Sequence, residues 1–342
     1  MATEQPAPER PAVGASATMT AVVQDSYGEA EDVLRLEEID RPVPTEGEVL
    51  LQVHAAGVDR GVWHLMAGRP YPVRVAGYGL RAPKDRVRGR EVSGRVEEVG
   101  RGVTSLRVGD EVFGVGEGCF AEYARARADK LAHRSPGLTA TQAAATSVSA
   151  LTALQGVRDR GRVQPGHQVL VIGASGGVGT FAVQIAVALG ADVTGVCRTS
   201  KVDVVRAAGA QHVIDHTLSD ITDAGHRYDV VIDIGGHRSL THLRRAMTPH
   251  GTLVIVGSET GGRWLGGFDR SLRAPLLSSV VGQDLVPLMI SENAADLIAL
   301  RELVDAGSVT PVVDRTYPLD RTPAAIRHVS DGHARGKVVV VM

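Results

Sequence analysis

The chain has little cysteine: among 342 residues only Cys119 and Cys197 occur, and they form no Cys-x-x-Cys pair. That argues against a disulfide framework and a cysteine-rich zinc lobe, and it fits a reducing cytoplasm. Lysine is almost as scarce, with Lys84, Lys130, Lys201 and Lys337 the only four among 37 basic residues. Nor is there a basic excess: the formal net charge is -2, so nothing in the balance favours a phosphate backbone, and no nucleic-acid partner is expected. A long uninterrupted apolar run is missing too. The most apolar stretch, HQVLVIGASGGVGTFAVQIAVALGADV, is broken by five glycines plus Ser175 and Gln184 and changes periodicity midway, which excludes a spanning helix and a membrane role. Residues 1–18 are rich in Pro and Ala, lack the apolar segment of a signal peptide, and are expected to form a disordered tail.

What is present suits a globular protein of one large domain or two: 43% of the residues are hydrophobic and 22% charged. From Met19 to about Lys130 short alternating apolar runs are punctuated by Gly and Pro, the pattern of a mostly β domain. From His167 the runs QVLVIGA, ADVTGVC, HVIDH, YDVVIDIGG, GTLVIVGS and DLVPLMI alternate with the helical segments GTFAVQIAVALGA, SKVDVVRAAGA and LTHLRRAMTPHG. Strands separated by helices predict a parallel, doubly wound α/β sheet that binds a nucleotide. After Ile290 a helix, a strand-like VVDRTYPL, a short helix and a last strand GKVVVVM are expected to return to the first domain.

The stretch VLVIGASGGVGTFAVQIA is an apolar strand, a Gly-rich turn and a helix in direct succession, with small residues at Ala174, Gly176 and Gly179. This suits a pyrophosphate: Gly176 lets backbone come close, Gly179 lets helix pack on strand, and the helix start supplies N–H groups and the positive end of its dipole. Ser175, Gly177 and Val178 complete the loop. At the end of the second strand an NAD site carries an acidic residue for the ribose 2'-hydroxyl. Here the segment reads CRTSK, with no carboxylate before Asp203. Arg198, Ser200 and Lys201 suit a 2'-phosphate through charge-assisted hydrogen bonds, so NADPH is the expected cofactor. The alternative is a solvated helix start with Ser200 as N-cap. His216 either reaches the same phosphate or is a turn residue.

In EVLLQVHAAGVD, GREVSGRVEEVG, VGDEVFGV, FAEYA, SALTALQG, the phosphate loop, GAQHVIDHT, YDVVIDIGG and the closing GHARGKVVVV, the chain resembles the medium-chain dehydrogenase/reductase superfamily, in its zinc-free quinone-oxidoreductase-like branch. The resemblance runs from about Met19 to Met342. It implies a GroES-like, mostly β catalytic domain (19–148 and 289–342) around a doubly wound Rossmann NADPH-binding domain (149–288), with the cleft between them. It also implies a homodimer whose sixth strands pair edge to edge. Zinc-dependent members hold their metal with a cysteine, a histidine and a third ligand; the matching places here are Asp59, Arg90 and a stretch, AATSVSALTALQG, without Cys or His. A guanidinium does not ligate zinc, so no metal is expected.

Without a Lewis acid, reduction of an activated C=C or a quinone needs only hydride, an oxyanion partner and a proton. The expected function is therefore NADPH-dependent reduction of a small-molecule enone or quinone. A zinc-independent carbonyl or alcohol oxidoreductase, and an NADPH-binding accessory protein without turnover, are the rival readings. Asp59 either binds at the nicotinamide end, with Ser147 and Ser149, or caps the turn in GVDRG. Gly235, Gly257, Ser258 and Met289 are expected to border the ring. Lys337 matches a family position near the cofactor, or is a solvated strand start. Tyr71 and His64, in the segment 63–91, are the candidate proton donors, and Trp264, Phe268 and Arg270 would line the cleft or a dimer interface. Glu91 is expected to pair with an arginine, Arg90 or another.

Overall fold

The computed structural model describes residues 18–223, 225–257 and 262–342. The expected tail therefore lies outside the described residues, except for Thr18, which already begins a strand. Strands β1 (Thr18–Gln24) and β2 (Leu34–Asp40) form an antiparallel ribbon. They are followed by β3 (Glu48–Val58), β4 (Glu91–Val99), β5 (Glu111–Val115), β6 (Tyr123–Arg127) and β7 (Leu131–His133). In β3 every residue is buried except Glu48, Gln52 and His54, and the last four run continuously buried, as expected of a strand covered on both faces.

The nucleotide sheet comprises β8 (Gln168–Ile172), β9 (Asp192–Cys197), β10 (His212–Asp215), β11 (Tyr228–Asp233), β12 (Met247–Ile255) and β13 (Asp284–Pro287). These are the six apolar runs read from the sequence. All pair in parallel, in the order β10-β9-β8-β11-β12-β13, so the chain starts in the middle, winds one way and then the other. This is the doubly wound order, and ligands bind where it reverses, outside the carboxyl ends of β8 and β11. One expected element is shorter than its run: the helix Leu240–Arg245 stops before MTPH, which is the start of β12.

The turn after β8 takes its left-handed conformation at Gly173 (φ 85°), not at Ala174, whose side chain is buried in the core. Gly179 is required by close approach, since a Cβ there would lie 2.1 Å from the Gly173 carbonyl oxygen. The helix Gly177–Ala188 that follows buries Phe181, Ala182, Val183, Ile185 and Ala186 against the sheet. Each such fully buried large apolar side chain contributes about 1.5–3 kcal/mol by leaving water.

After the helix Ala294–Asp305, β14 (Val313–Pro318) and β15 (Lys337–Val341) join the first sheet, in the order β14-β15-β3-β4-β5-β7 with β6 on β3. The valines of β15 alternate between two clusters, so this strand is buried on both faces. Between them the helix Thr322–Ser330 packs on the first sheet and the loop 331–336 reaches the turn after β8, where Gly336 bridges to Gly176.

Candidate cofactor cleft

A cleft of about 700 Å³ opens between the two sheets at the carboxyl ends of β8, β9 and β11. Ser175, Gly176, Gly177 and Val178 form its floor, at the start of the helix Gly177–Ala188. The first-turn amides of a helix have no intrahelical partner, which suits them to an anion. The opposite wall is the loop 331–336: Gly336 N–H donates to the Ser175 carbonyl at 3.0 Å, and Gly332, Ala334 and Gly336 all line the cleft. An extended dinucleotide with its pyrophosphate on the loop fits this space, so the residues present suit a nicotinamide cofactor.

At the adenosine end Arg198 and His216 line the cleft from the ends of β9 and β10, tied together by the His216 N–H to Cys197 carbonyl bond at 3.0 Å. The Arg198 guanidinium is exposed to the cleft and has no hydrogen-bond or ion-pair partner among the described residues. Lys201 also lines the cleft, but its ammonium donates to the carbonyls of Gly332 at 2.7 Å and Ala334 at 2.6 Å. It therefore clasps the loop after β9 to the 331–336 wall, and burial lowers its pKa. Ser200 lies away from the cleft in a single 3-10 turn; it is no N-cap, because the helix Val202–Ala207 is preceded by Lys201 and has no side-chain cap. Cys197 lines the same wall, its thiol pushed up to about 11 by burial, so it stays protonated and is no nucleophile at neutral pH.

At the other end Asp59 takes the capping role read from the sequence: its carboxylate accepts from Val62 N–H at 2.9 Å at the start of the helix Arg60–Ala67, and the residue also lines the cleft. Ser149 lines the cleft and accepts from Lys337 Nζ at 2.9 Å. Lys337 is no solvated strand start; it is 1% exposed, and its chain passes so close to Gly177 that a Cβ there would lie 2.7 Å from Lys337 Cδ. Its ammonium also pairs with Glu91. The expected arginine partner of Glu91 is thus corrected to a lysine, because β15 and β4 flank β3 and bring residues 246 apart in the chain together. Arg90 instead bridges to Glu292 at 2.6 Å, which Lys130 also reaches at 3.0 Å.

Several expected residues are not brought to the cleft. Ala174 and Gly179 lie behind the floor in the helix–strand contact. Gly235 lines the cleft, but Gly257 packs on β11, where a Cβ would meet the Ile234 carbonyl oxygen at 1.8 Å. Met289 is exposed to solvent and is not among the lining residues. Ser258 and the Phe268 side chain lie outside the described residues. Tyr71 and His64 are not lining residues either: Tyr71 packs edge-on against Trp264 at 5.3 Å, and His64 Nδ1 meets the Arg69 carbonyl oxygen at 3.0 Å. Ser147 is buried between two helices and its hydroxyl has no partner among the described residues. Arg270 is buried in an ion pair with Asp233 at the end of β11.

Sequence reading missed His237 and Arg238, which line the cleft from the loop after β11, and Arg60, whose Nη1 donates to the Ser330 carbonyl at 2.7 Å. For His237 and Arg238 the signal was positional: a loop at the carboxyl end of a strand beside the switch point carries ligand contacts.

Two family models match: "Alcohol dehydrogenase GroES-like domain" over residues 45–136 and "Zinc-binding dehydrogenase" over residues 208–340. The chain is 33% identical to the NAD(P)H oxidoreductase RTN4IP1, mitochondrial, of Mus musculus, over 95% of this chain and 89% of that protein. The chain belongs to the medium-chain dehydrogenase/reductase superfamily. The chloroplast envelope quinone oxidoreductase homolog of Arabidopsis thaliana is 28% identical, with 94% of this chain and 98% of that protein covered. Among solved structures, the quinone oxidoreductase from Coxiella burnetii superposes with a TM-score of 0.82 at 26% identity, covering 95% and 99% of the two chains. A thermostable alcohol dehydrogenase from Pyrobaculum aerophilum gives 0.79 at 27% identity, covering 95% and 100%. The GroES-like and Rossmann-type architecture of this superfamily is the one described above.

Proposed function

We propose that this oxidoreductase uses NADPH to reduce a quinone or the activated C=C of an enone, without a catalytic metal. One observation carries the cofactor choice: Arg198, unpartnered among the described residues, stands at the ribose end of the cleft, where an NAD site would present a carboxylate. The cofactor supplies a hydride. The chain's own residues bind and orient it: the loop amides of Gly176–Val178 and the Lys337 ammonium at the pyrophosphate, Arg198 and His216 at the 2'-phosphate, and Asp59 with Ser149 at the opposite end. The metal-free reading rests on residue identity. Asp59 and Arg90 stand where zinc-dependent relatives place ligands, and both are committed elsewhere, to a helix cap and to Glu292.

The names of the Arabidopsis and Coxiella relatives support quinone-type reduction and that of the mouse relative an NAD(P)H oxidoreductase, whereas that of the Pyrobaculum structure favours a carbonyl or alcohol oxidoreductase. Measuring NADPH and NADH oxidation with a quinone, an enone and the matching saturated ketone separates them. Turnover of the ketone alone would overturn the proposal, and tight NADPH binding with no acceptor consumed would favour the accessory reading.

We further propose a cytoplasmic homodimer. None of the described helices is long and apolar enough to cross a membrane, although relatives include mitochondrial and chloroplastic proteins. The edge strand β13 is flanked by Leu272, Leu276 and Val280, each more than 70% exposed. Light scattering of wild type and Leu276→Arg tests this, a monomeric wild type counting against it.

A further inference from the structure

Glu91 opens β4 with a fully buried side chain. Its Oε2 accepts from Lys337 Nζ and its Oε1 from Ser149 N–H at 2.9 Å. The same ammonium donates to Ser149 Oγ at 2.9 Å and to the Val58 carbonyl at 3.3 Å. Gly57 on the adjacent strand leaves the space, since a Cβ there would lie 2.1 Å from Glu91 Oε2. The result is a buried anion whose one cationic contact among the described residues, Lys337, also lines the phosphate-loop floor beside Gly177.

Among the described residues, the other charged or titratable groups around it do not supply a second cation. Asp59, just after β3, adds a repulsive negative charge. Cys119, from the segment before β6, is a thiol that burial holds protonated. Arg90, the chain neighbour, is turned to Glu292. Burial pushes the Glu91 carboxyl above its ordinary range, and Lys337 opposes the shift. A buried carboxylate is tolerated only while its partner's charge is available to it.

We infer that Glu91 is a proton acceptor coupled to cofactor binding: when an anionic pyrophosphate enters the phosphate loop and shares the Lys337 ammonium, the Glu91 carboxylate takes up a proton from solvent. The carboxylate plus one proton gives the carboxylic acid, the ammonium keeps its three protons, and no electrons move. The bound state then sets Lys337 against the pyrophosphate alone instead of stretching one cation between two anions. This rests on the cleft being a pyrophosphate site, and not on a preference for NADPH.

The test is calorimetric titration of the full chain with ADP-ribose, which has the pyrophosphate but neither nicotinamide nor 2'-phosphate, in buffers of differing ionisation enthalpy near pH 7. Wild type is expected to take up close to one proton per site, and its affinity to rise as pH falls, by at most about tenfold per unit for a full proton. Glu91→Gln should lose this uptake. Lys337→Met should lose it too, because a lone buried carboxylate is protonated before the ligand arrives, so this variant serves if Glu91→Gln does not fold. His216 and His237 also line the cleft; protons they take up persist in Glu91→Gln, and the difference from wild type belongs to Glu91. Binding by wild type without proton uptake, or equal uptake by Glu91→Gln, would overturn the inference. If ADP-ribose does not bind, 2'-phospho-ADP-ribose replaces it with the same comparison; failure of both to bind would overturn the cofactor reading along with the inference.

Discussion

Changing Arg198 to alanine removes a cation at the ribose end that no described residue engages. Its guanidinium is exposed to the cleft and unpartnered among the described residues, so the substitution leaves no buried group orphaned, and the fold should be unaffected. A hydrogen bond to a charged group contributes about 1.5–3 kcal/mol, and solvent exposure places this one near the lower end, roughly a tenfold loss of NADPH relative to NADH. Lys201 gives the contrast. Two of its three N–H donors go to Gly332 and Ala334, so Lys201→Ala should cost far less in cofactor preference and more in the attachment of the 331–336 wall. The assay is kcat/KM for both cofactors with a saturating quinone, together with thermal melting of each variant. An unchanged NADPH/NADH ratio in Arg198→Ala, or a larger change in Lys201→Ala than in Arg198→Ala, would refute this division of labour.

Phe181→Ala, in the fully buried face of the dinucleotide helix, should destabilise the chain by about 3–5 kcal/mol, read as a shift in the urea midpoint. Asp59→Ala should lose about 0.5–2 kcal/mol of stability through the helix cap, while Asp59→Asn keeps the cap; a fall of kcat in the asparagine variant at unchanged stability would assign Asp59 a role at the nicotinamide end. Hydrogen bonds from Arg86 and then Arg35 hold Asp25 down to about 2 from an ordinary 3.8. A depressed carboxylate stabilises the fold above its unfolded value and loses that contribution as pH falls through the folded one, so Asp25→Asn should flatten the acid limb of stability between about pH 4 and 2.

The nucleotide sheet was legible because its cues are local: each of β8 to β13 is an apolar run, and the Gly-rich turn follows β8 directly. The floor residues Ser175 to Val178 could be named for the same reason. The Glu91–Lys337 pair could not, because its members are 246 residues apart and meet only when β15 is laid against β3. A single sequence carries no cross-strand register, so the expected partner of Glu91 is an arginine, Arg90 or another, and not the distant lysine. Lys201 was read by its type and place, but the carbonyls that occupy it belong to a loop of the other domain. Tyr71 and His64 have donor chemistry, yet side-chain direction in an irregular segment follows from packing, here against Trp264 and the Arg69 backbone.

The strand that carries Lys337 follows the whole nucleotide sheet in the chain, yet it pairs with β3, which precedes that sheet. On a ribosome the six parallel strands and their phosphate loop are complete while the earlier sheet still lacks an inner member. During that interval Glu91 has no counter-charge and β3 offers an open edge. Emergence of β15 closes the edge, neutralises the carboxylate and delivers the lysine to the phosphate floor at once. Cofactor competence and completion of the first sheet are therefore a single event in the life of the nascent chain.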